Sequence, residues 1–218
     1  RRVLFRSLQE RNVHIWDKWE INEDGDWIDE NTGKVLKHFD PSFAHTIGTA
    51  YGFIVKKYDL MNKLLNSLKN DKEDRRRVIS LWQDSELDTA VLPSCVWSSE
   101  WDVTDGKLNI WVHQRSCDVP LGLPFNVTQY AVLLMMVAKV TGLEPGTIDW
   151  SIKDAHIYVN QIDGIKEQLN RYETKGSLPA PKLWLNPDIQ DFYAFDPKND
   201  VKLIGYEHMG KISFPLAQ

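Results

Sequence analysis

The sequence predicts an α+β fold, on three observations. Segments with helical apolar spacing and segments of alternating polarity share one chain. They do not follow a strict strand–helix alternation. One long run, Asn126 to Thr141, is apolar nearly all round. Taken in order, Asn22 to Asp40 is the most loop-like stretch, with turn signals at Asp24-Gly25, Asn31-Thr32-Gly33 and Asp40-Pro41, and reads as a solvated excursion or hairpin. Its acidic residues lack the spacing of a calcium loop. From Asp59 to Lys69, Leu60, Leu64, Leu65 and Leu68 fall on one helical face, with Asp59 placed to cap and Asn70-Asp71 to end it. Arg77 to Trp82 and Lys107 to His113 read as strands; in the second, Leu108, Ile110 and Val112 alternate with Asn109, Trp111 and His113. The Asn126–Thr141 run opens on a capping residue and stops at Gly142, which predicts a buried core helix. Asn160 to Arg171 carries Ile162, Ile165 and Leu169 on one face, a second amphipathic helix. Lys182 to Leu185 and Val201 to Tyr206 read as short strands between Pro-rich turns.

The composition narrows the function classes. At 218 residues the chain suits one domain. With 42% hydrophobic and 26% charged residues it is of ordinary globular composition. A formal net charge of −5 gives no support to nucleic-acid binding, which favours a basic patch. Two Cys make neither a disulfide framework nor a four-thiolate metal site, so reduced thiols and a cytoplasmic location are the default expectation. The longest apolar stretch, Tyr130 to Val140, is interrupted by Lys139 and is shorter than the ~18–20 residues of a bilayer span. Arg1-Arg2-Val3-Leu4-Phe5 is followed at once by Arg6, unlike a signal peptide. With no initiating Met, the chain is expected to begin inside a longer gene product.

Four places could carry chemistry, each with a plainer reading beside it. Cys95, in Leu92-Pro93-Ser94-Cys95-Val96-Trp97, is either a structural core thiol or a nucleophile, and a nucleophile needs cations or donors beside it. Arg75-Arg76-Arg77 and Arg115 are the candidates; the triple Arg is a solvated terminus or an oxyanion clamp of forked donors. Leu121-Gly122-Leu123-Pro124-Phe125-Asn126 is a turn plus cap, or its Asn reads the imide edge of a pyrimidine. Asp154-Ala155-His156-Ile157-Tyr158 places polar groups on one face of a strand, facing solvent or lining a polar site. No Gly-rich phosphate loop, Ser-His-Asp spacing or metal-ligand cluster emerges.

Together and in this order the motifs resemble the classical, folate-dependent thymidylate synthase family. The residues that carry the resemblance are Trp82 after the Arg run, Leu92-Pro93-Ser94-Cys95, Gln114-Arg115-Ser116-Cys117-Asp118, Leu121-Gly122-Leu123-Pro124-Phe125-Asn126 and Asp154-Ala155-His156-Ile157-Tyr158. His14-Ile15-Trp16-Asp17-Lys18-Trp19 and Gly48-Thr49-Ala50-Tyr51-Gly52 extend it upstream. It covers essentially the whole chain except an excursion at about 22–45.

The resemblance implies a single domain over 1–218, with a mixed β-sheet at a homodimer interface and packed helices that include a long buried central one. It implies conversion of dUMP to dTMP with 5,10-methylenetetrahydrofolate as co-substrate, and no metal. By the same resemblance Cys95 adds to C6 of uracil, because C5 is a poor nucleophile until that addition. Arg115 would raise the thiolate fraction and, with Ser116, hold the phosphate, while Arg75 and Arg76 reach the partner's site. Asn126 would read the pyrimidine O4/N3 edge, and His156 and Tyr158 the deoxyribose hydroxyl. Asp118 would bind the pterin, and Tyr51 remove the C5 proton through water. Ile15, Trp16, Trp19, Leu92, Gly122 and Phe125 would line the folate side, with Trp16 and Leu92 helping to exclude water.

Departures from the pattern are Val96 where His is common, Glu100 where Gln is usual, and Gln161 where His is frequent. The upstream family segment, with another phosphate Arg and a catalytic Glu, has no match here. Residues are expected to be missing around Val3-Leu4-Phe5-Arg6-Ser7, and a polypeptide of only these residues is expected to be nearly inactive. The tail Pro215-Leu216-Ala217-Gln218 resembles the family's closing tail but ends differently. Two other functions fit the same motifs: a phage-type dUMP hydroxymethylase, and a non-catalytic nucleotide-binding protein on the same scaffold.

Overall fold

The computed structural model describes residue 14 and residues 16–216. Ile15, the stretch 3–7 and the last two residues of the tail lie outside the described residues. The chain divides into two compact units, one of residues up to 64 together with 78–98, the other of residues 65–77 and 99 onward.

In the first unit, β1 (Asp26–Ile28) and β2 (Val35–His38) form an antiparallel hairpin, with Asp26 opposite His38 and a register shift after Trp27. The predicted excursion at 22–45 is therefore a hairpin, but it is not wholly solvated. Phe39 and Phe43, which follow it, are buried with Ile21 and Val91. Aromatic side chains of that size leave water wherever a neighbouring apolar surface is available. α1 (Gly52–Lys57) is followed by α2 (Leu60–Asn70), which begins in this unit and runs into the second. Leu64, Leu65 and Leu68 are buried, as the predicted stripe requires. β3 (Val78–Ser80) is shorter than the predicted strand, and α3 (Asp84–Leu87) follows it. Leu81 N–H donates to the Trp97 carbonyl at 2.8 Å, beside the start of β4 (Val96–Thr104).

β4 was not read from the sequence. It continues into the second unit and turns at Asp105-Gly106, both with positive φ (51° and 78°), into β5 (Lys107–Gln114). Two positive-φ residues suit the twist of a two-residue hairpin, and Asp-Gly is a pair that tolerates them. β6 (Cys117–Asp118) precedes α4 (Gly122–Thr141), and β7 (Glu144–Ile152) then returns parallel to β5, giving the order β4-β5-β7 here. Leu108, Ile110, Val112 and Gln114 share the buried face of β5.

α4 starts at Gly122, not at Asn126. The first turn of a helix leaves its N–H groups without intrahelical acceptors, so Gly122 and Pro124 are tolerated there. It ends as predicted at Gly142, a left-handed cap with φ 68°. By length and composition this 20-residue helix could cross a membrane, but it packs on β5 and β7 with Tyr130, Leu134, Val137 and Ala138 buried. Tyr130 meets Trp150 edge-on at 5.4 Å, and burial pushes its hydroxyl pKa up to about 12. The N-terminal end of α4 is not buried, since Phe125 is 64% exposed.

β8 (Ala155–His156) is shorter than the predicted strand and pairs parallel with β6. α5 (Ile162–Lys175) begins two residues later than predicted and runs four further. Its predicted apolar face is only partly covered, with Ile165 half-buried and Ile162 and Leu169 exposed. Contacts to the C-terminal segment come instead from Gln161, Gly164 and Arg171. β9 (Lys182–Leu185) and β10 (Val201–Ile204) pair antiparallel.

Candidate active site

In the first unit a close backbone approach seats the candidate residues. Gly48 bridges Ala90 at φ 78°, and a Cβ at that position would lie 2.1 Å from the Thr89 carbonyl oxygen. Only glycine fits both the conformation and the space. Thr49 N–H donates to the same carbonyl at 2.9 Å, and its hydroxyl donates to the Glu86 carbonyl at 2.7 Å. This zipper carries Tyr51 to the loop before β4, where the Tyr51 hydroxyl accepts the backbone N–H of Cys95 at 3.0 Å. Tyr51 sits at φ 42°, a region costly for a bulky side chain, so the surrounding contacts over-determine its position. Cys95 is half-buried between buried Ser94 and Val96. Glu86, under the zipper, is held below the usual carboxylate range, first by the hydrogen bond from Lys57 and further by Tyr58 and Ser85.

Trp16 and Trp19 flank a short 3-10 turn with their rings 5.3 Å apart. Trp19 and Leu92 both pack on the Ile21–Phe39–Phe43–Val91 cluster, so these two expected folate-side residues share one apolar wall. Ile15 lies outside the described residues.

The second unit assembles a polar cluster. The parallel β6–β8 pairing sets Asp118 opposite His156. Cys117 N–H donates to the Asp154 carbonyl and Val119 N–H to that of His156. The His156 and Tyr158 rings meet edge-on at 4.9 Å, and His156 Nδ1 lies 3.4 Å from an Asp154 carboxylate oxygen. Gln114, buried at the end of β5, donates to the Ser116 carbonyl at 2.9 Å and to Asn126 Oδ1 at 3.3 Å. Its own Oε1 accepts the Trp150 indole N–H at 3.0 Å. Asp118 is held at both oxygens: Oδ1 accepts the Leu121 N–H at 3.2 Å, and Oδ2 accepts from Gln161 Nε2 at 2.9 Å. Arg115 and Ser116 are half-buried on the short link between β5 and β6. Gly122 and Phe125 lie on the first turns of α4, beside Asn126 in sequence.

Arg75 and Arg76 are exposed, on a loop that is itself fixed. Arg77 is buried, donating from Nε to Ser67 Oγ at 2.9 Å and from Nη2 to the Asp71 carbonyl. Asp74 accepts from Ser67 Oγ and from the Arg76 N–H, and the Ser67 bond leads the lowering of its carboxyl pKa. The Arg run thus divides into one anchor and two projecting cations.

Two residues with clear structural roles were not assigned any from the sequence. Gln114 continues the buried register of Leu108, Ile110 and Val112, and a polar residue in that register was the available signal. Gln161 was noted only as a departure, yet it is fully buried with both amide atoms engaged. Of the other departures, Val96 is buried in the core, and Glu100 accepts from His113 Nε2 at 2.9 Å. Among the described residues no group of three or more His, Cys, Asp or Glu is placed to hold a metal ion.

The family model described as thymidylate synthase matches residues 3–218. The chain is 47% identical over 212 residues to the thymidylate synthase of Clostridium beijerinckii, covering 97% of this chain and 72% of that protein. It is 40% identical over 220 residues to thymidylate synthase 1 of Bacillus subtilis strain 168, covering 97% of this chain and 70% of the relative. The solved structure of the thermostable thymidylate synthase A from Bacillus subtilis superposes with a TM-score of 0.78 at 38% identity, over 97% of this chain and 70% of that one. The chain belongs to the thymidylate synthase family, a family of methyl-transferring enzymes.

Proposed function

We propose that the protein catalyses the reductive methylation of dUMP to dTMP, with 5,10-methylenetetrahydrofolate as co-substrate. The observation that carries this reading is the paired orientation of two recognition groups, Asn126 by Gln114 and Asp118 by Gln161, in a chain that retains Cys95. With Asn126 Oδ1 already accepting from Gln114, its Nδ2 remains as a donor, which suits the O4 carbonyl of uracil and not the exocyclic amine of cytosine. An oriented carboxylate, half-exposed at Asp118, suits the N–H donors of a pterin.

In this reading Cys95 adds through sulfur to C6. The C5–C6 π pair becomes a C4–C5 double bond, the C4–O4 π pair moves onto O4 as an enolate, and C5 becomes the carbon nucleophile. Methylenetetrahydrofolate, when bound, would supply the one-carbon unit and the hydride and leave as dihydrofolate. Tyr51, acting through water, takes the proton from C5, and its bond to the Cys95 backbone ties the base to the nucleophile. When the methyl group is complete, Cys95 leaves and the C5–C6 double bond returns. Arg115 and Ser116 hold the phosphate, and His156 with Tyr158 holds the deoxyribose hydroxyl. Trp16, Trp19 and Leu92 keep water from the transferring hydride.

The active form is a homodimer in which Arg75 and Arg76 of one copy serve the phosphate of the other. Their exposure on an anchored loop, and the exposed Trp111 on β5, support this.

The test is tritium release from 5-tritiated dUMP by the full-length protein with methylenetetrahydrofolate, read beside dihydrofolate formation. Release with an equal yield of dihydrofolate is expected. Release without dihydrofolate identifies a hydroxymethylase, and absence of release leaves only nucleotide binding.

A further inference from the structure

The C-terminal segment 209–216 is fixed to α5 and the turn before it at three points. Arg171 Nη1 donates to the carbonyls of Met209 at 3.0 Å and Gly210 at 2.9 Å. The Phe214 ring rests on Gly164, where a Cβ would come within 2.5 Å of it. Gln161 Nε2 donates to the Pro215 carbonyl at 3.2 Å. That same nitrogen donates to Asp118 Oδ2, while Gln161 Oε1 accepts the Tyr158 N–H at 3.0 Å. The site requires two donors and one acceptor from a side chain with 0% exposure. A primary amide supplies all three, whereas a neutral imidazole offers one donor and one acceptor.

We propose that Gln161 is a positioning residue that couples the seat of the C-terminal segment to the orientation of the Asp118 carboxylate. With the segment withdrawn, one buried N–H of Gln161 loses its acceptor. The amide, left on its Tyr158 and Asp118 bonds, gains freedom to rock, and Asp118 Oδ2 is aligned less firmly while Oδ1 keeps the Leu121 N–H. With the segment seated, both hydrogens are committed and Asp118 is aligned. The inference rests on the reading of Asp118 as the pterin acceptor, so its predicted kinetic effect falls on the folate and not on the nucleotide.

The experiment uses three variants of the full-length protein, Gln161→Leu, Gln161→His and Gly164→Ala, each checked for a cooperative melt. The first readout needs no ligand: the rate of tryptic cleavage after exposed Lys211, within the segment. It is expected to rise about fivefold or more in all three, as local opening becomes easier. The second is steady-state kinetics, in which the KM for methylenetetrahydrofolate is expected to rise about tenfold while that for dUMP stays within about threefold. A residue that only stabilised the fold would lower the melting point without this split. Unchanged folate KM in Gly164→Ala, despite faster cleavage, overturns the coupling even if Gln161→Leu does not fold. Unchanged cleavage and folate KM in Gln161→His overturns the assignment of Gln161. Absence of tritium release from the unmodified protein is a different result: it removes the functional reading while the cleavage comparison still stands.

Discussion

The two units handle polarity in opposite ways. The first holds the candidate nucleophile Cys95 between buried Ser94 and Val96, the latter at 1% exposure, and fixes it through its backbone N–H to Tyr51. The second gathers Asn126, Asp118, His156 and Tyr158 around two buried glutamines. The difference matches the two tasks of the proposed function. Under the proposed function, a reacting atom is positioned by one anchored peptide group, whereas reading a base edge and a pterin requires side chains whose rotation is stopped by others. Amides do this without adding charge, so the alignment they give does not itself titrate.

The comparison can be broken most severely at the nucleophile. Cys95→Ala is expected to lower turnover by about a thousandfold or more while dUMP affinity stays within about tenfold, because covalent activation of the ring is lost and the recognition groups remain. Mass spectrometry after incubation with 5-fluoro-dUMP and folate should show the adduct on the unmodified protein and none on the variant; normal turnover by the variant removes Cys95 from the mechanism.

On the recognition side, Asn126→Asp is expected to shift the ratio of kcat/KM for dCMP over dUMP upward by about tenfold or more, since a carboxylate accepts from the cytosine amine. Identical ratios would place the base-reading group elsewhere. Gln114→Leu strands the Trp150 indole N–H and removes the restraint on Asn126, with an expected loss of about 2 kcal/mol in denaturant melts and a raised dUMP KM. A loss of stability with an unaltered KM would reduce Gln114 to packing.

The smallest effect concerns Glu86, beneath the zipper that seats Tyr51. Its carboxyl is depressed in the fold, chiefly by Lys57, so its contribution is present above the usual carboxylate range and is lost as pH falls through the lower folded value. Glu86→Gln is expected to cost about 1 kcal/mol near neutral pH and nothing in strong acid, so the two stability curves converge on acidification. Parallel curves would show that the charge of Glu86 contributes nothing.

Much of this was legible before any coordinates. The leucine stripe of α2, the alternation of β5, the strands β9 and β10 and the Gly142 stop all follow local periodicity or cap chemistry, which one segment reveals by itself. β4 was missed because its inward and outward residues do not alternate cleanly: Ser98 and Ser99 are both buried, and only Asp105-Gly106 marked the hairpin. β7, rich in Gly, Pro and polar residues, owes its strand to pairing with β5. The start of α4 was misplaced because Gly122 and Pro124 look like breakers unless the tolerance of the first turn is weighed. The motifs named the candidate site residues, but the partnership of Gln161 with Asp118 and Pro215 joins positions 43 and 54 residues apart in sequence. No local pattern encodes such a meeting.

The tight ribbon at Asp105-Gly106 bears on how the chain acquires its shape. Its two strands are neighbours along the polypeptide, so little loop entropy opposes their meeting, and hairpins of this kind close in about 1–10 microseconds. β7 must wait until the 20 residues of α4 have been laid down and folded back. A nascent chain would therefore own a small antiparallel template early, onto which the later parallel strand docks, and slowing that first closure should delay everything assembled upon it.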